Sequence, residues 1–123
     1  MKRYFILLLF AYAALLGIIS CSKTDEKDLI LGQWKRVKEE TYTNGQLVSS
    51  KDVDYQYRMF FTSSGECIEE FYHSTYSITD KWLTLQFESH AEIYKIQKIT
   101  HKELILVESD YDSEEWWYYK RIE

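Results

Sequence analysis

Proline is absent from this chain, and glycine, cysteine and histidine are scarce: four, two and three residues in 123. Without proline, no strand loses a ladder donor, so an uninterrupted sheet is permitted along the whole chain. With so few glycines there is no phosphate-cradling loop. The Gly-x-Ser-x-Gly and His-Glu-x-x-His patterns are missing as well, so no catalytic residue is nominated and an enzyme is not expected. The soft metal ligands, Cys67, His73, His90 and His101, are scattered. On one strand over residues 66–73, Cys67 and His73 would stand ~20 Å apart, too far for one zinc ion. His90 and His101 fall at opposite ends of another strand, and neither a metal nor a cofactor is expected. Asp110, Asp112, Glu114 and Glu115 could face a hard cation, but their loop lacks the glycine of a tight ligand turn, and a solvated acidic turn is the alternative.

What is abundant at the start is apolar surface. Lys2 and Arg3 precede a nearly unbroken apolar run over residues 4–19. A positive start, an apolar stretch and small residues form the pattern of a secretory signal peptide. The run is short for a membrane span, which takes about 20 apolar residues; an uncleaved anchor helix is the alternative. Ile18-Ile19-Ser20-Cys21 resembles the bacterial lipobox, with Ile18 where Leu is preferred. The resemblance implies removal of residues 1–20 and attachment of acyl chains to Cys21. Two or more chains give stable anchoring where one is marginal. Residues 21–28 are polar and charged, a tether for the lipidated end. Ser22 beside Cys21 fits an outer-membrane destination, and Lys23 followed by Asp25-Glu26 looks like the surface-export signal of Bacteroidetes lipoproteins. A linker that need only be soluble is the alternative. A lipid-anchored protein of the outer membrane, on its periplasmic face or at the cell surface, is therefore expected.

Loss of Lys2 and Arg3 from 15 basic residues, with all 20 acidic ones retained, leaves a net charge near −7. That balance excludes a nucleic-acid partner, which needs clustered Lys and Arg. Residues 29–123 make one small domain. With Cys21 carrying lipid, Cys67 has no partner for a disulfide, and the core must suffice. It has the means in 4 Trp, 6 Phe and 11 Tyr, because large aromatics bury the most area per residue.

The domain shows no helical period. Short β-type runs recur at 34–42, 46–53, 55–62, 66–73, 75–78, 82–87, 93–100, 104–108 and 115–122. Asn44-Gly45, Ser63-Ser64-Gly65, Thr79-Asp80-Lys81 and His101-Lys102 separate them. Leu83, Leu85 and Phe87 alternate with Trp82, Thr84 and Gln86, a half-buried strand. Sequential hairpins predict an all-β antiparallel up-and-down meander. Closing it as an eight-stranded barrel removes both exposed edges; a β-sandwich of the same strands is the alternative.

Leu29-Ile30-Leu31-Gly32-Gln33-Trp34 resembles the Gly-x-Trp opening of lipocalins, and Tyr118-Tyr119-Lys120-Arg121-Ile122 resembles their Arg-bearing last strand. Phe61-Thr62-Ser63-Ser64-Gly65 is similar to a hairpin of lipocalin-like lipoproteins of Bacteroidetes. The resemblance covers most of residues 29–123. It implies a lipocalin-like barrel, with Trp34 plugging one end and Arg121 lying across it. A guanidinium on an indole face gains about 0.5–2 kcal/mol, and Gly32 permits the close approach.

A barrel of this kind binds a small apolar or amphipathic ligand at its open end. Tyr57, Met59, Phe61, Phe71, Leu85, Phe87 and Tyr94 are the candidate lining. The domain is shorter than a typical lipocalin and has no C-terminal helix. The alternative is therefore a barrel packed solid that contacts a protein or glycan partner through surface aromatics. In Trp116-Trp117-Tyr118-Tyr119 one Trp and one Tyr face each side. The inward pair is core or pocket lining, and the outward pair is either a binding platform or simply good strand-forming sequence.

Overall fold

The computed structural model describes residues 25–54 and 58–123. Among the described residues, one helical turn, α1 (Glu26–Leu29), precedes nine strands. These are β1 (Gly32–Thr43), β2 (Gln46–Asp52), β3 (Met59–Phe61), β4 (Glu66–Ile68), β5 (His73–Thr79), β6 (Trp82–Gln86), β7 (Ala91–Ile99), β8 (Glu103–Ser109) and β9 (Ser113–Ile122). Every pairing is antiparallel, and β1 pairs with β9 to close the ring. β2 and β3 occupy successive stretches of one edge of β1: β2 faces residues 38–43 and β3 faces residues 32–34. The Val53 amide continues that ladder with a 3.0 Å bond to the Val37 carbonyl. The two thus form one interrupted stave, and the sheet is a closed antiparallel eight-stranded barrel.

The turns follow from the residues that tolerate positive φ. Asn44 and Gly45 adopt φ of 50° and 78° and join β1 to β2, while Asp80 at 55° joins β5 to β6. Because the strands alternate up and down, the connections at 44–45, 69–72, 87–90 and 110–112 share one end. The other end carries α1 and the connections at 62–65, 80–81 and 100–102.

This second end is closed. Ile30 and Trp34 have no solvent exposure, and the indole Nε1 donates to the Ile30 carbonyl at 2.8 Å. The Arg121 guanidinium lies 4.3 Å from the Trp34 ring centroid. It donates to the carbonyls of His101 at 2.6 Å and Leu31 at 2.5 Å, and also to that of Leu29. One side chain thereby ties α1 and the β7–β8 turn to the last strand. Gly32 has φ of +116°, and a Cβ there would stand 2.7 Å from Arg121 Nη1. The core continues upward from this plug through Phe61, Cys67, Leu83, Ile96, Leu104 and Leu106. Burial, with a smaller push from Glu69, raises the Cys67 thiol to about 12, so the sulfur is a small apolar filler.

Three local expectations are corrected. The run over 66–73 is strand only to Ile68: the Glu69 amide bonds the Tyr72 carbonyl at 2.8 Å, and residues 69–72 become a loop. The run over 55–62 is strand at Met59–Phe61, with 55–57 outside the described residues. Within the polar tether, Glu26–Leu29 winds into a helical turn, because its carbonyls and Ile30 seal the barrel end. Residues 1–20 and Cys21 lie outside the described residues.

Candidate functional site

A cavity of about 560 Å³ opens at the end opposite the Trp34 plug. Its floor and walls come from inward positions of the staves and its rim from two loops. β1 contributes Arg36, β7 Glu92 and Tyr94, β8 Glu108 and β9 Trp117. The 69–72 loop contributes Glu69, Glu70, Phe71 and Tyr72, and the 87–90 loop Phe87 and His90. The period of two explains these positions. Glu92 shares its face with Tyr94 and Ile96, Glu108 with Leu104 and Leu106, and Arg36 with Trp34.

The aromatic lining falls into two groups, Tyr94 with Trp117 on the staves and Tyr72, Phe87 and His90 at the rim. Tyr94 and Trp117 have centroids 5.3 Å apart, Phe87 and His90 stack at 4.8 Å, and Tyr72 meets Phe87 edge-on at 6.4 Å. The Arg36 guanidinium stands 4.2 Å over the Trp117 ring. It donates to the Tyr119 hydroxyl at 2.9 Å and to Glu39 at 3.0 Å.

Carboxylates dominate the polar lining. Tyr94 donates its hydroxyl to Glu92 at 2.5 Å, and His90 Nε2 lies 3.4 Å from the other Glu92 oxygen. Burial raises the affinity of Glu69 for its proton; Arg36 opposes the effect and Glu92 adds to it. Glu108 is raised by burial and then by Glu92. Burial, followed by the bond to Glu92, also raises the Tyr94 phenol. Glu92 therefore acts on both Glu69 and Glu108 across the cavity, a costly arrangement in a partly desolvated site.

Of the residues nominated from sequence, Phe71, Phe87 and Tyr94 line the cavity. Met59, Phe61 and Leu85 belong to the packed core, and Tyr57 lies outside the described residues. The charged lining was not nominated, although extending the in–out alternation past Tyr94, Leu106 and Trp34 points to Glu92, Glu108 and Arg36. The outward pair of the last strand is half-buried. Trp116 packs on Tyr42 at 5.5 Å, and Tyr118 donates to Glu40, itself only 8% exposed. These rings cover the barrel's own wall.

Comparison with protein-family models, with curated proteins and with solved structures finds no match. The functional reading therefore rests on this geometry.

Proposed function

We propose that this barrel is a lipid-anchored, lipocalin-like binding protein that takes a small amphipathic ligand through its open end. The carrying observation is the half-packed interior, an aromatic-walled cavity of about 560 Å³ above a filled core. That volume is in the range of small-molecule sites, where apolar walls supply burial and a few polar groups fix orientation. Phe71 on the rim is 80% exposed, an apolar surface a ligand would cover.

Anchoring through Cys21 suits this geometry. Asp25 follows Cys21 by four residues. At ~3.5 Å per residue, the closed end then sits within roughly 14 Å of the acylated residue. The mouth faces away from the bilayer, open to solutes of the periplasm or the cell exterior.

The test is titration of residues 22–123, which contain the whole barrel, with the neutral fluorophore N-phenyl-1-naphthylamine. Saturable enhancement of its emission, with a loss of at least fivefold in affinity for Phe87→Ala at unchanged folding, is expected. No saturable binding at micromolar protein would remove the ligand-binding reading in favour of a partner-contact role.

A further inference from the structure

The charge lining the cavity narrows the ligand class, and the argument rests on the binding reading above. Four carboxylates, Glu69, Glu70, Glu92 and Glu108, face the space against one fixed cation, Arg36. Arg36 already bonds Glu39 and the Tyr119 hydroxyl. A ligand carrying its own carboxylate or phosphate would enter a ring of like charge and be repelled. A purely apolar ligand would bury the glutamates further and leave their mutual repulsion in place.

A cationic ligand resolves both problems. It neutralises Glu92, whose charge raises the proton affinity of Glu69 and of Glu108. Its charge can also lie over the exposed face of an aromatic ring, a contact that strengthens as water is excluded. The molecule already uses this contact inside the same wall, where the Arg36 guanidinium sits 4.2 Å over Trp117. Tyr94 and Phe87 offer further rings to an apolar body beside the acidic groups. At longer range, the excess of 20 acidic over 15 basic residues draws cations toward the mouth.

We propose that the occupant of this cavity is an amphipathic organic cation, an apolar or aromatic body bearing a protonated amine. The body rests against Trp117, Tyr94 and Phe87, and the amine is held among Glu92, Glu108 and Glu69. No covalent step is involved; recognition is charge pairing plus burial.

Three matched probes separate the charge inference from the site itself. Dansylcadaverine carries a terminal ammonium, its N-acetyl derivative is neutral, and 6-dansylaminohexanoate carries a carboxylate. Each is titrated into residues 22–123 at pH 7, and dansyl emission is excited through tryptophan. The amine is expected to bind at least tenfold more tightly than the neutral derivative, and the carboxylate more weakly than both. In the Glu92→Gln/Glu108→Gln variant the ratio of amine affinity to neutral-derivative affinity should fall at least fivefold, and a ratio that is unchanged in the folded variant would overturn the charge pairing. Circular dichroism reports that the variant is folded. Equal affinity for amine and neutral derivative would overturn the cationic-ligand inference and leave the aromatic site standing. Failure of all three dansyl probes, with N-phenyl-1-naphthylamine still bound, would likewise overturn the inference alone. Failure of all four would overturn the site as well.

Discussion

The two ends of the barrel use the same ingredients, aromatic rings and one arginine, to opposite effect. At the closed end Arg121 stacks on Trp34, and its donors are taken up by backbone carbonyls of His101, Leu31 and Leu29. No carboxylate takes part in those bonds, and Ile30 and Trp34 leave no solvent exposure. At the open end Arg36 stacks on Trp117, but its neighbours are glutamates, and space remains above it. One cation satisfied by neutral acceptors makes a plug. One cation outnumbered by acids, beside rings still partly open, makes a receptor. Stability should accordingly be concentrated at the plug and ligand chemistry at the mouth.

The sharpest way to break that division is Trp34→Ala. A fully buried indole is lost and Arg121 loses its platform, a cost of about 3–5 kcal/mol by comparison with other large-to-small core substitutions. A drop in Tm on the order of 15 °C or more is expected in a domain of this size. Thermal unfolding by circular dichroism checks it, and a shift of only a few degrees would show that the plug is dispensable. Gly32→Ala is the smaller version. The φ of +116° is unfavourable for alanine, and the new Cβ would meet Arg121 Nη1 at 2.7 Å. A cost of about 1–3 kcal/mol is expected, with cavity affinity for N-phenyl-1-naphthylamine unchanged because the site lies at the other end. Loss of affinity in parallel with Tm would mean that the two ends are coupled.

The closed end and the fold were more legible in the sequence than the mouth. Asn44-Gly45 and Thr79-Asp80 declared their turns through backbone chemistry, and Leu83 and Leu85 declared an inward face through alternation. Such signals are local. The residues 69–72 defeated them, because Phe71 and Tyr72 look like strand in isolation, whereas a tight Glu69–Tyr72 turn makes them rim. The same locality explains why Met59, Phe61 and Leu85 could not be told from cavity lining. All are apolar and inward, and only the height of each position in the barrel separates packed core from open space. Glu69, Glu92 and Glu108 lie on three different elements. Their convergence is a product of closure, and a run of sequence carries no signal for it. Gly32, Trp34 and Arg121 meet at the closed end, where the guanidinium lies 4.3 Å from the indole centroid and leaves no room for a Cβ on Gly32.

The smallest effect expected is also the one that distinguishes two kinds of carboxylate. Glu40, on the outer wall, is held below the ordinary carboxylate range mainly by the Tyr118 hydroxyl, with Lys38 assisting against burial. Its folded form prefers charge, so its contribution to stability is present above the unfolded value near 4.5 and is lost as the pH falls through the lower folded one. Glu69 and Glu108 have the opposite sign. Their folded forms prefer the proton, so their contribution is full below 4.5 and fades as the pH rises through their raised values. Above pH 4.5 the outer group is already ionised, and among the carboxylates it is Glu69 and Glu108 that set the slope. Tm should fall as the pH rises above 4.5 in the unliganded protein. Glu69→Gln/Glu108→Gln should flatten the fall, since neither amide ionises, whereas Glu40→Gln should lower Tm throughout and leave the slope as it was. A slope that survives the double substitution would show that the mouth glutamates are too well solvated to sense one another. The contrast between a satisfied end and a charge-strained end would then fail at the level of energy, even with every distance in place.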